Sequence, residues 1–358
     1  MAGVRFAVPL AFATLAGCAS SLVSREEIDK NIQPPPELAQ KIEALDPATL
    51  PSPAPTPAPS PVVAPAKESR AKKPARRAQA AAAPAKPMPT TTAPPSPATW
   101  SPTHWPYGVG ERINWAMRWG VIEGGNITLN VEEPKVLEGV PVLHYRGVIK
   151  SSRLLEFVYK IDDEIISWVR LADHLPLRHE IHQNESGRQG KRVVVFDPEG
   201  AKAKFFAKAR LKDGRVEEHL REDPVTNLAQ DIFGAMYFYR FIDRRDGITF
   251  PIHDRWRNWA NQLTYLGEET IRVPAGEFKT LHYKLLPRVQ GFLAPQGDVE
   301  VWLRDDPTKV LVRFKAKIKV GSVTGELTDY QPGRPIALPL PRMKTPTDLS
   351  ELGEAKAR

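Results

Sequence analysis

The sequence predicts a mainly β protein: an antiparallel sheet, strongly curved or closed into a partial barrel, with one amphipathic helix at about 227–240 that covers or plugs it. Three observations predict this class. Apolar and polar residues alternate over many short stretches, turn motifs rich in Gly and Pro separate these stretches, and one stretch has the helical period instead. The predicted β-rich domain covers residues 106–334.

The N-terminal stretch has the pattern of an export signal. Arg5 precedes an apolar run, 6–15, that is too short to span a bilayer as a helix. The following Leu15-Ala16-Gly17-Cys18 resembles the lipobox of bacterial lipoproteins, and Cys18 is the only cysteine of the chain. The resemblance implies a lipoprotein signal peptide at 1–17 and lipid attachment at Cys18. An ordinary signal peptide with a chance cysteine is the alternative.

The residue after Cys18 bears on the destination of the protein. By the same resemblance, Ala19 implies an outer-membrane lipoprotein that faces the periplasm. We therefore expect the chain to meet a membrane through an N-terminal acyl anchor, because acyl chains hold a protein at a bilayer by burial of their methylene groups.

Residues 18–105 have the composition of a disordered, lipid-anchored tether. More than half of the 36 prolines lie between Pro34 and Pro106, mixed with Ala, Ser, Thr and Lys and without a hydrophobic period. Such a segment buries too little apolar surface to offset the entropy lost on ordering. Short helical turns are predicted within it at 25–31 and 37–45. A tether of this length would let the domain stand well away from the membrane.

The net charge of +8 is concentrated in this tether, in the basic run from Lys67 to Arg77. The β-rich domain is nearly balanced in charge, which argues against a nucleic-acid-binding domain. The basic run has two interpretations: a contact for anionic head groups or wall polymer, or a solubilising linker. Residues 335–358 are predicted to be a disordered C-terminal tail.

The β-rich domain opens with a predicted hairpin. Alternate residues of 113–119 and of 127–131 are apolar, and Gly120 and Gly124-Gly125 lie between the two stretches. Further strands are predicted at 143–149, 157–161, 165–170, 177–183, 193–196, 263–266, 270–273, 281–285, 299–303, 310–320 and 323–328.

One segment has the helical period. Its apolar residues fall at Leu228, Ile232, Ala235, Met236 and Tyr239, which lie on one face of a helix. Thr226 or Asn227 is the predicted N-terminal cap.

Few residues are candidates for catalysis or metal binding. His179 and His182 are three apart on a predicted strand, so they point to opposite faces and cannot bind one metal together. Paired carboxylates occur at 162–164 and 305–306, where turn formers predict solvated turns rather than acid–base groups. We therefore expect no enzymatic activity, no cofactor and no metal site.

Two features are candidates for ligand binding. Aromatic residues where the strands meet the helix line either a lipid-binding cavity or an ordinary core. A row of cations on 310–320 either binds an anionic polymer or head group, or protects a sheet edge from aggregation. The candidate ligand-binding residues are Trp115, Trp119, Phe233, Tyr237, Trp302, Arg313, Lys315, Lys317 and Lys319.

Several motifs of the domain resemble the family called "domain of unknown function 3108". They are Gly110-Glu111-x-Ile113-x-Trp115-x-Met117-x-Trp119-Gly120, Gly124-Gly125, Asp231 with 237–240, Val273-Pro274-Ala275-Gly276-Glu277-Phe278 and Val301-Trp302-Leu303-Arg304-Asp305-Asp306. Trp115 and Met117 stand where Tyr and Val are expected. The resemblance covers 106–334 and implies an exported protein of Gram-negative bacteria, without established catalytic residues.

These features predict an envelope lipoprotein whose domain is a non-enzymatic binding module for lipid or another envelope component. In its lipid-carrier form, an apolar cavity lies beneath 227–240. The alternative is a structural or assembly protein that contacts peptidoglycan or an envelope partner through its surface and has a filled interior. A wall-glycan hydrolase is a third hypothesis, and it requires two carboxylates facing each other across a groove.

Overall fold

The structure, a computed structural model, describes residue 28 and residues 32–46, 102–226, 228–242, 248–254, 257–289, 292–293, 299–317 and 321–342. The described residues form 17 strands in one sheet, so the predicted mainly β class is confirmed. The strands are β1 Ile42–Ala44, β2 Arg112–Trp119, β3 Ile122–Leu137, β4 Val140–Ser151, β5 Asp162–Arg170, β6 Pro176–Glu185, β7 Arg188–Asp197, β8 Lys202–Leu211, β9 Val216–Pro224, β10 Gln230–Asp231, β11 Ile248–Asp254, β12 Arg257–Val273, β13 Gly276–Val289, β14 Phe292–Leu293, β15 Val299–Arg304, β16 Leu311–Lys317 and β17 Ser322–Gln331. The helices are α1 Arg153–Glu156 and α2 Gly234–Phe241.

The sheet consists of two meanders that share one seam. Strands β2 to β9 each pair with the next strand along the chain, and β11 to β17 do the same except that β13 pairs with both β14 and β15. The seam is the antiparallel pair of β17 and β2. The short β10 pairs in parallel with β11. Among the described strands, no pairing closes the sheet between β9 and β10.

One large apolar core holds the two meanders together. Leu129 on β3, Ile181 on β6, Leu263 on β12 and Leu327 on β17 are all buried in the same cluster. Strands that are far apart in the sheet order can share a core only if the sheet curves around it. Helix α2 lies within this core and contacts β5 and β10.

The first hairpin is formed by β2 and β3, with a tighter turn than the sequence predicted. The turn is Gly120-Val121, and Gly124-Gly125 lies inside β3 opposite the end of β4. Gly125 has a φ of 148°, and a Cβ there would lie 2.0 Å from the Lys150 carbonyl oxygen, so this close approach of two strands requires glycine.

The strand predicted at 157–161 is wrong. A connection that follows helix α1 occupies this stretch, and the side chain of Phe157 is exposed. Ser152 caps the helix, because its Oγ accepts a hydrogen bond from the Leu155 backbone N–H at 3.3 Å. The apolar alternation in 157–161 belongs to the connection, in which only Ile161 makes a bridge, to Glu185.

The helix predicted at 227–240 begins later than expected. Residues 230–231 are the strand β10, and Asp231 then starts α2 by accepting hydrogen bonds from the backbone N–H groups of Phe233 and Gly234 at 2.9 and 2.7 Å. The predicted cap Thr226 precedes β10, and Asn227 lies outside the described residues. Tyr237, Phe238 and Phe241 are buried, whereas Ile232 of the predicted apolar face is exposed.

Part of the segment that was predicted to be a disordered tether is folded onto the domain. Ile28, Ile32 and Leu38 form a buried cluster with Val193 of β7 and Phe206 of β8. A 3₁₀ turn, Pro36–Leu38, and strand β1 replace the helix predicted at 37–45, and β1 pairs with the end of β3. The remaining predictions for the tether, including Cys18 and the run 67–77, lie outside the described residues.

The folded region also extends past the predicted boundary at 334. Ile336 is buried in the main core, and the Leu338 carbonyl accepts a hydrogen bond from Trp105 Nε1 at 3.0 Å. The Arg342 backbone N–H donates to the Ala172 carbonyl at 2.7 Å. The first residues of the predicted tail therefore pack on the domain, and 343–358 lie outside the described residues.

Candidate functional site

The C-terminal end of α2 is fixed by a buried ion pair. Arg240 binds both carboxylate oxygens of Glu111, at 2.5 and 2.8 Å, and both side chains are almost fully buried. Arg240 also donates to the carbonyl oxygens of Thr308 at 2.9 Å and Pro106 at 2.8 Å. Burial opposes the charge of Arg240, but Glu111 keeps its pKa above the ordinary value. Each of the three guanidinium nitrogens of Arg240 donates to a group of the protein itself.

A chain of neutral polar groups continues from this pair through the interior. The Tyr107 and Tyr145 hydroxyls are 2.6 Å apart, and the Tyr145 hydroxyl is 3.0 Å from His174 Nε2. His174 Nδ1 lies 3.3 Å from Gln230 Oε1. Burial lowers the pKa of His174 to about 4, so this imidazole is neutral at pH 7. This series of hydrogen-bonded side chains links β4 to β10.

Asp231 is the centre of a second buried polar group. Ser167 Oγ donates to its Oδ2 at 2.6 Å, and His179 Nδ1 lies 3.3 Å from its Oδ1. Burial opposes ionisation, yet His179, Ser167 and the Gly234 N–H hold the pKa of Asp231 below its ordinary value. In a catalytic triad the histidine stands between serine and carboxylate, whereas here both contact the carboxylate. The arrangement therefore caps a helix rather than activates a nucleophile.

One of the two carboxylate pairs predicted to be solvated is buried, which corrects the prediction for 162–164. Asp163 lies on β5 with 1% of its surface exposed, and its Oδ1 accepts the Asn184 backbone N–H at 2.8 Å. Burial and the neighbouring Glu185 raise the pKa of Asp163 to about 8. Tyr159 donates to Glu185, which closes the group. The other pair fits its prediction, because Asp306 Oδ1 accepts hydrogen bonds from Thr308 and Lys309 within a turn.

The two predicted histidines lie on opposite faces of β6, as their spacing indicates. His179 faces Asp231, whereas His182 Nε2 lies 2.9 Å from Glu180 Oε2 on the other face. Burial alone would raise the pKa of Glu180, but the hydrogen bond from His182 and the charges of Arg178 and Lys191 lower it to about 2. In the part of the chain that the structure describes, no group of three His, Cys, Asp or Glu side chains is placed to hold a metal ion.

The charged group around Glu180 fastens the N-terminal segment to the domain. Arg178 binds Glu180 at 2.6 Å, and its Nη1 donates to the Leu38 carbonyl at 2.8 Å and to Gln40 Oε1 at 3.0 Å. This contact lies between residues that are 140 positions apart in the sequence. Together with the apolar cluster of Ile28 and Leu38, it covers the outer face of β6 to β8.

Four of the five predicted ligand-binding aromatic residues, Trp115, Phe233, Tyr237 and Trp302, are buried in the same main core. There Tyr237 stacks on Tyr145 with ring centroids 3.9 Å apart, and Trp302 stacks on His282 at 4.3 Å. Trp119 is half-buried at the end of β2.

The predicted cation row is only partly available to a ligand. Arg313 binds Glu326 at 2.9 Å and lies 5.7 Å above the Trp302 ring. Lys315 and Lys317 are exposed on β16, and Lys319 lies outside the described residues.

Among the described residues, side chains occupy the space in which a cavity was predicted beneath the helix. A Cβ on Gly147 would lie 2.8 Å from the Phe233 ring, so the aromatic ring already contacts the β4 backbone. Beside Leu228 and Ala229 a small pocket is lined by Leu175, Phe196 and Val225, with a cavity volume of about 20 Å³. That volume holds about one water molecule and no acyl chain.

The sequence did not identify Glu111 and Arg240 as a pair, although both lie in motifs that carry the family resemblance. The available signal was Arg240 itself, which stands in an otherwise apolar stretch. An arginine is rarely buried without a partner, so its position indicated a buried carboxylate nearby. Within the described residues, no helix is long and apolar enough to cross a membrane.

Comparison with known proteins identifies a family and several distant solved structures. A family model described as "Protein of unknown function (DUF3108)" matches residues 114–328. No curated protein matches the chain. A β-barrel-like protein of the DUF1849 domain from Brucella abortus is 8% identical, with 64% of this chain and 99% of that chain covered and a TM-score of 0.40.

Two further solved structures cover the same shares, 64% of this chain and 99% of theirs. A proposed lipoprotein from Parabacteroides distasonis is 11% identical with a TM-score of 0.29. A proposed exported protein with a YmcC-like fold from Bacteroides fragilis is 9% identical with a TM-score of 0.28.

Proposed function

The chain belongs to the DUF3108 family of proteins of unknown function, and from this premise we propose that it is a lipid-anchored envelope protein that works through its outer surface. The β-rich domain is then a non-enzymatic module that contacts a component of the envelope, such as peptidoglycan, a lipid surface or another envelope protein. The acyl anchor is on Cys18, and Ala19 after it favours the outer membrane, with the domain facing the periplasm.

The filled interior is the observation that carries this proposal. A lipid carrier needs a continuous apolar cavity of several hundred cubic ångströms. Here the region beneath α2 contains stacked Tyr145 and Tyr237, the ring of Phe233 against β4, and the Glu111–Arg240 pair. A charged pair that is hydrogen-bonded on all sides is a costly neighbour for an acyl chain. These contacts favour the surface-contact hypothesis over the lipid-carrier hypothesis.

The buried acidic groups favour a non-enzymatic function as well. Glycoside hydrolysis requires two carboxyl groups on either side of a bound sugar, open to substrate and water. Asp163 is buried against the backbone of Asn184, and Asp231 is enclosed by Ser167 and by the start of α2. Neither carboxyl group lines a groove that a glycan chain could enter.

The anchor is tested by mass spectrometry of the N-terminal peptide after expression of the full-length chain in a Gram-negative host. We expect the wild-type peptide to begin at an acylated Cys18, and the Cys18→Ser variant to carry no acyl group. An unmodified Cys18, with cleavage elsewhere, would overturn the anchor.

The interior is tested by native mass spectrometry of the mature Cys18→Ser chain, purified without detergent from the same host. We expect the mass of the polypeptide alone. A retained mass that organic solvent releases, and that proves to be lipid, would overturn the surface proposal in favour of a carrier. Retention that is lost in a Gly147→Leu variant, which adds bulk beneath α2, would assign the lipid to this interior.

A further inference from the structure

One end of the sheet carries a protruding group of large apolar side chains. Val121, in the turn between β2 and β3, is 97% exposed, and Leu154 and Phe157, in and after α1, are 67% and 85% exposed. Ile122 and Val158 beside them are also exposed. We call these five residues the apolar tip. A folded protein scatters single apolar side chains over its surface, but a contiguous group of large ones marks a contact site.

The two connections that form the apolar tip are hydrogen-bonded to each other. The Ser152 backbone N–H donates to the Gly124 carbonyl at 3.1 Å, and Ser152 Oγ donates to the Glu123 carbonyl at 2.9 Å. The last residue of β4, Ser151, is paired with Gly125 of β3, so both connections leave the sheet at the same end.

The far side of the α1 connection is fixed to the next hairpin. The backbone N–H of Lys160 donates to Ser186 Oγ at 2.9 Å, and the Ser186 N–H donates to the Lys160 carbonyl at 3.0 Å. Tyr159 donates to Glu185 in the same place. The protein therefore holds the apolar tip outward with ordered backbone on both sides, and these side chains do not fold back onto the core.

We propose that the apolar tip inserts into the head-group region of a lipid bilayer. The proposal rests on the acyl anchor at Cys18. Cys18 and the buried Ile28 are ten residues apart in the sequence. Ten extended residues span at most about 36 Å, so the anchor confines the domain to the bilayer surface. At that distance the domain can turn its protruding end to the membrane.

The composition of the apolar tip fits a bilayer. It is formed by a turn and a short helix, and its side chains need no matching groove to enter lipid, whereas a protein partner would have to provide one. The rim is nearly balanced in charge: Arg118, Lys150 and Arg153 are exposed, the acidic neighbours Glu123 and Glu156 are exposed as well, and Lys150 lies 3.7 Å from Asp162. The exposed apolar side chains, rather than the charges, are therefore the feature that is typical of a segment in the membrane interface.

The first test is vesicle flotation of the mature Cys18→Ser chain, which lacks the acyl group. Vesicles contain phosphatidylethanolamine with phosphatidylglycerol. We expect the chain to float with them and a Val121→Ser/Leu154→Ser/Phe157→Ser variant to show a bound fraction lower by on the order of tenfold. The matched control is Leu220→Ser/Leu266→Ser, because these side chains are 53% and 50% exposed but lie apart on β9 and β12. The control variant should float like the parent chain.

A second readout locates the contact. The Cys18→Ser chain has no other thiol, so Val121→Cys or Phe157→Cys accepts a single environment-sensitive fluorophore. We expect a blue shift on addition of vesicles at both tip positions and none at Leu266→Cys. Equal shifts at all three positions, or none, would overturn the proposal.

The outcomes separate this proposal from the anchor. A parent chain that does not float, or a triple variant that floats equally well, overturns the proposal that the apolar tip inserts into a bilayer. If Cys18 of the wild-type chain is acylated in that case, the anchor still holds. Cross-linking of the tip to a protein, without vesicle binding, would replace the bilayer by a protein partner. An unmodified wild-type Cys18 with tip-dependent flotation would retain the apolar tip and remove the anchor.

Discussion

The Arg240→Met variant tests whether the Glu111–Arg240 pair holds α2 in place. Removal of the guanidinium leaves the Glu111 carboxylate in the core with only the Tyr330 hydroxyl, 3.2 Å away, and leaves the Pro106 and Thr308 carbonyls without this donor. Breaking a buried ion pair costs about 3–5 kcal/mol of unfolding free energy. We therefore expect a loss of that size at pH 7.

The size of this loss comes mostly from the charge that is left behind. An unpaired carboxylate in the core has lost its water without gaining a partner, whereas neutral side chains of similar size are cheaper to bury.

The assay is urea unfolding at pH 7, followed by far-UV circular dichroism. The control is Glu111→Gln/Arg240→Met, which removes both charges and should recover part of the loss, because no unpaired carboxylate then remains in the core. A loss below about 1 kcal/mol, or a double variant as unstable as Arg240→Met, would contradict the role given to the ion pair.

Three other substitutions test the remaining features. Asp163→Asn should flatten the pH profile of stability, because burial and Glu185 raise the folded-state pKa of Asp163 from 3.8 to about 8. In the parent chain alone, the unfolding free energy should therefore fall by up to about 1.4 kcal/mol for each unit by which the pH rises between these values. Parallel urea-unfolding profiles of the parent chain and the variant would refute this. Leu38→Ala removes a fully buried side chain at a cost of about 2–5 kcal/mol and should speed hydrogen exchange in β1 but not in β12. Unchanged exchange in β1 would show that the N-terminal segment does not depend on this contact with the domain. Gly147→Ala places a methyl 2.8 Å from the Phe233 ring and should cost about 1–3 kcal/mol in urea unfolding, whereas a neutral effect would indicate free space beneath α2.

Most of the longer strands were predictable because alternation and turn residues are local signals, but β8, β9 and β11 were not predicted, and β12 was predicted as two strands. The start of α2 was not predictable, since it depends on the carboxylate of Asp231, which Ser167 and His179 hold in place from β5 and β6. The burial of Asp163 was missed for the same reason: its partner Glu185 comes from the next strand, and its own neighbours in the sequence are those of a turn.

The folded N-terminal segment escaped the sequence because Ile28, Ile32 and Leu38 stand in a Pro-rich region without a regular period. The sequence signal for this contact lies in the strands that the segment covers, β7 and β8. Residues 193–196 and 205–207 are unbroken apolar runs, which are typical of strands covered on both faces. A sheet with helix α2 and its core on one side therefore required a second cover, and the N-terminal segment supplies it.

That cover changes what the Pro-rich region can do. Both of its flanks are attached to the same domain, through β1 on one side and Tyr107 in the main core on the other. The intervening sequence, 47–101, therefore does not lie between an anchor at Cys18 and the domain, and its length cannot set the distance from the membrane. The basic run 67–77 contains the midpoint of that sequence. A contact of this run with an anionic polymer and a contact of the domain with the membrane are therefore separate proposals, each with its own test.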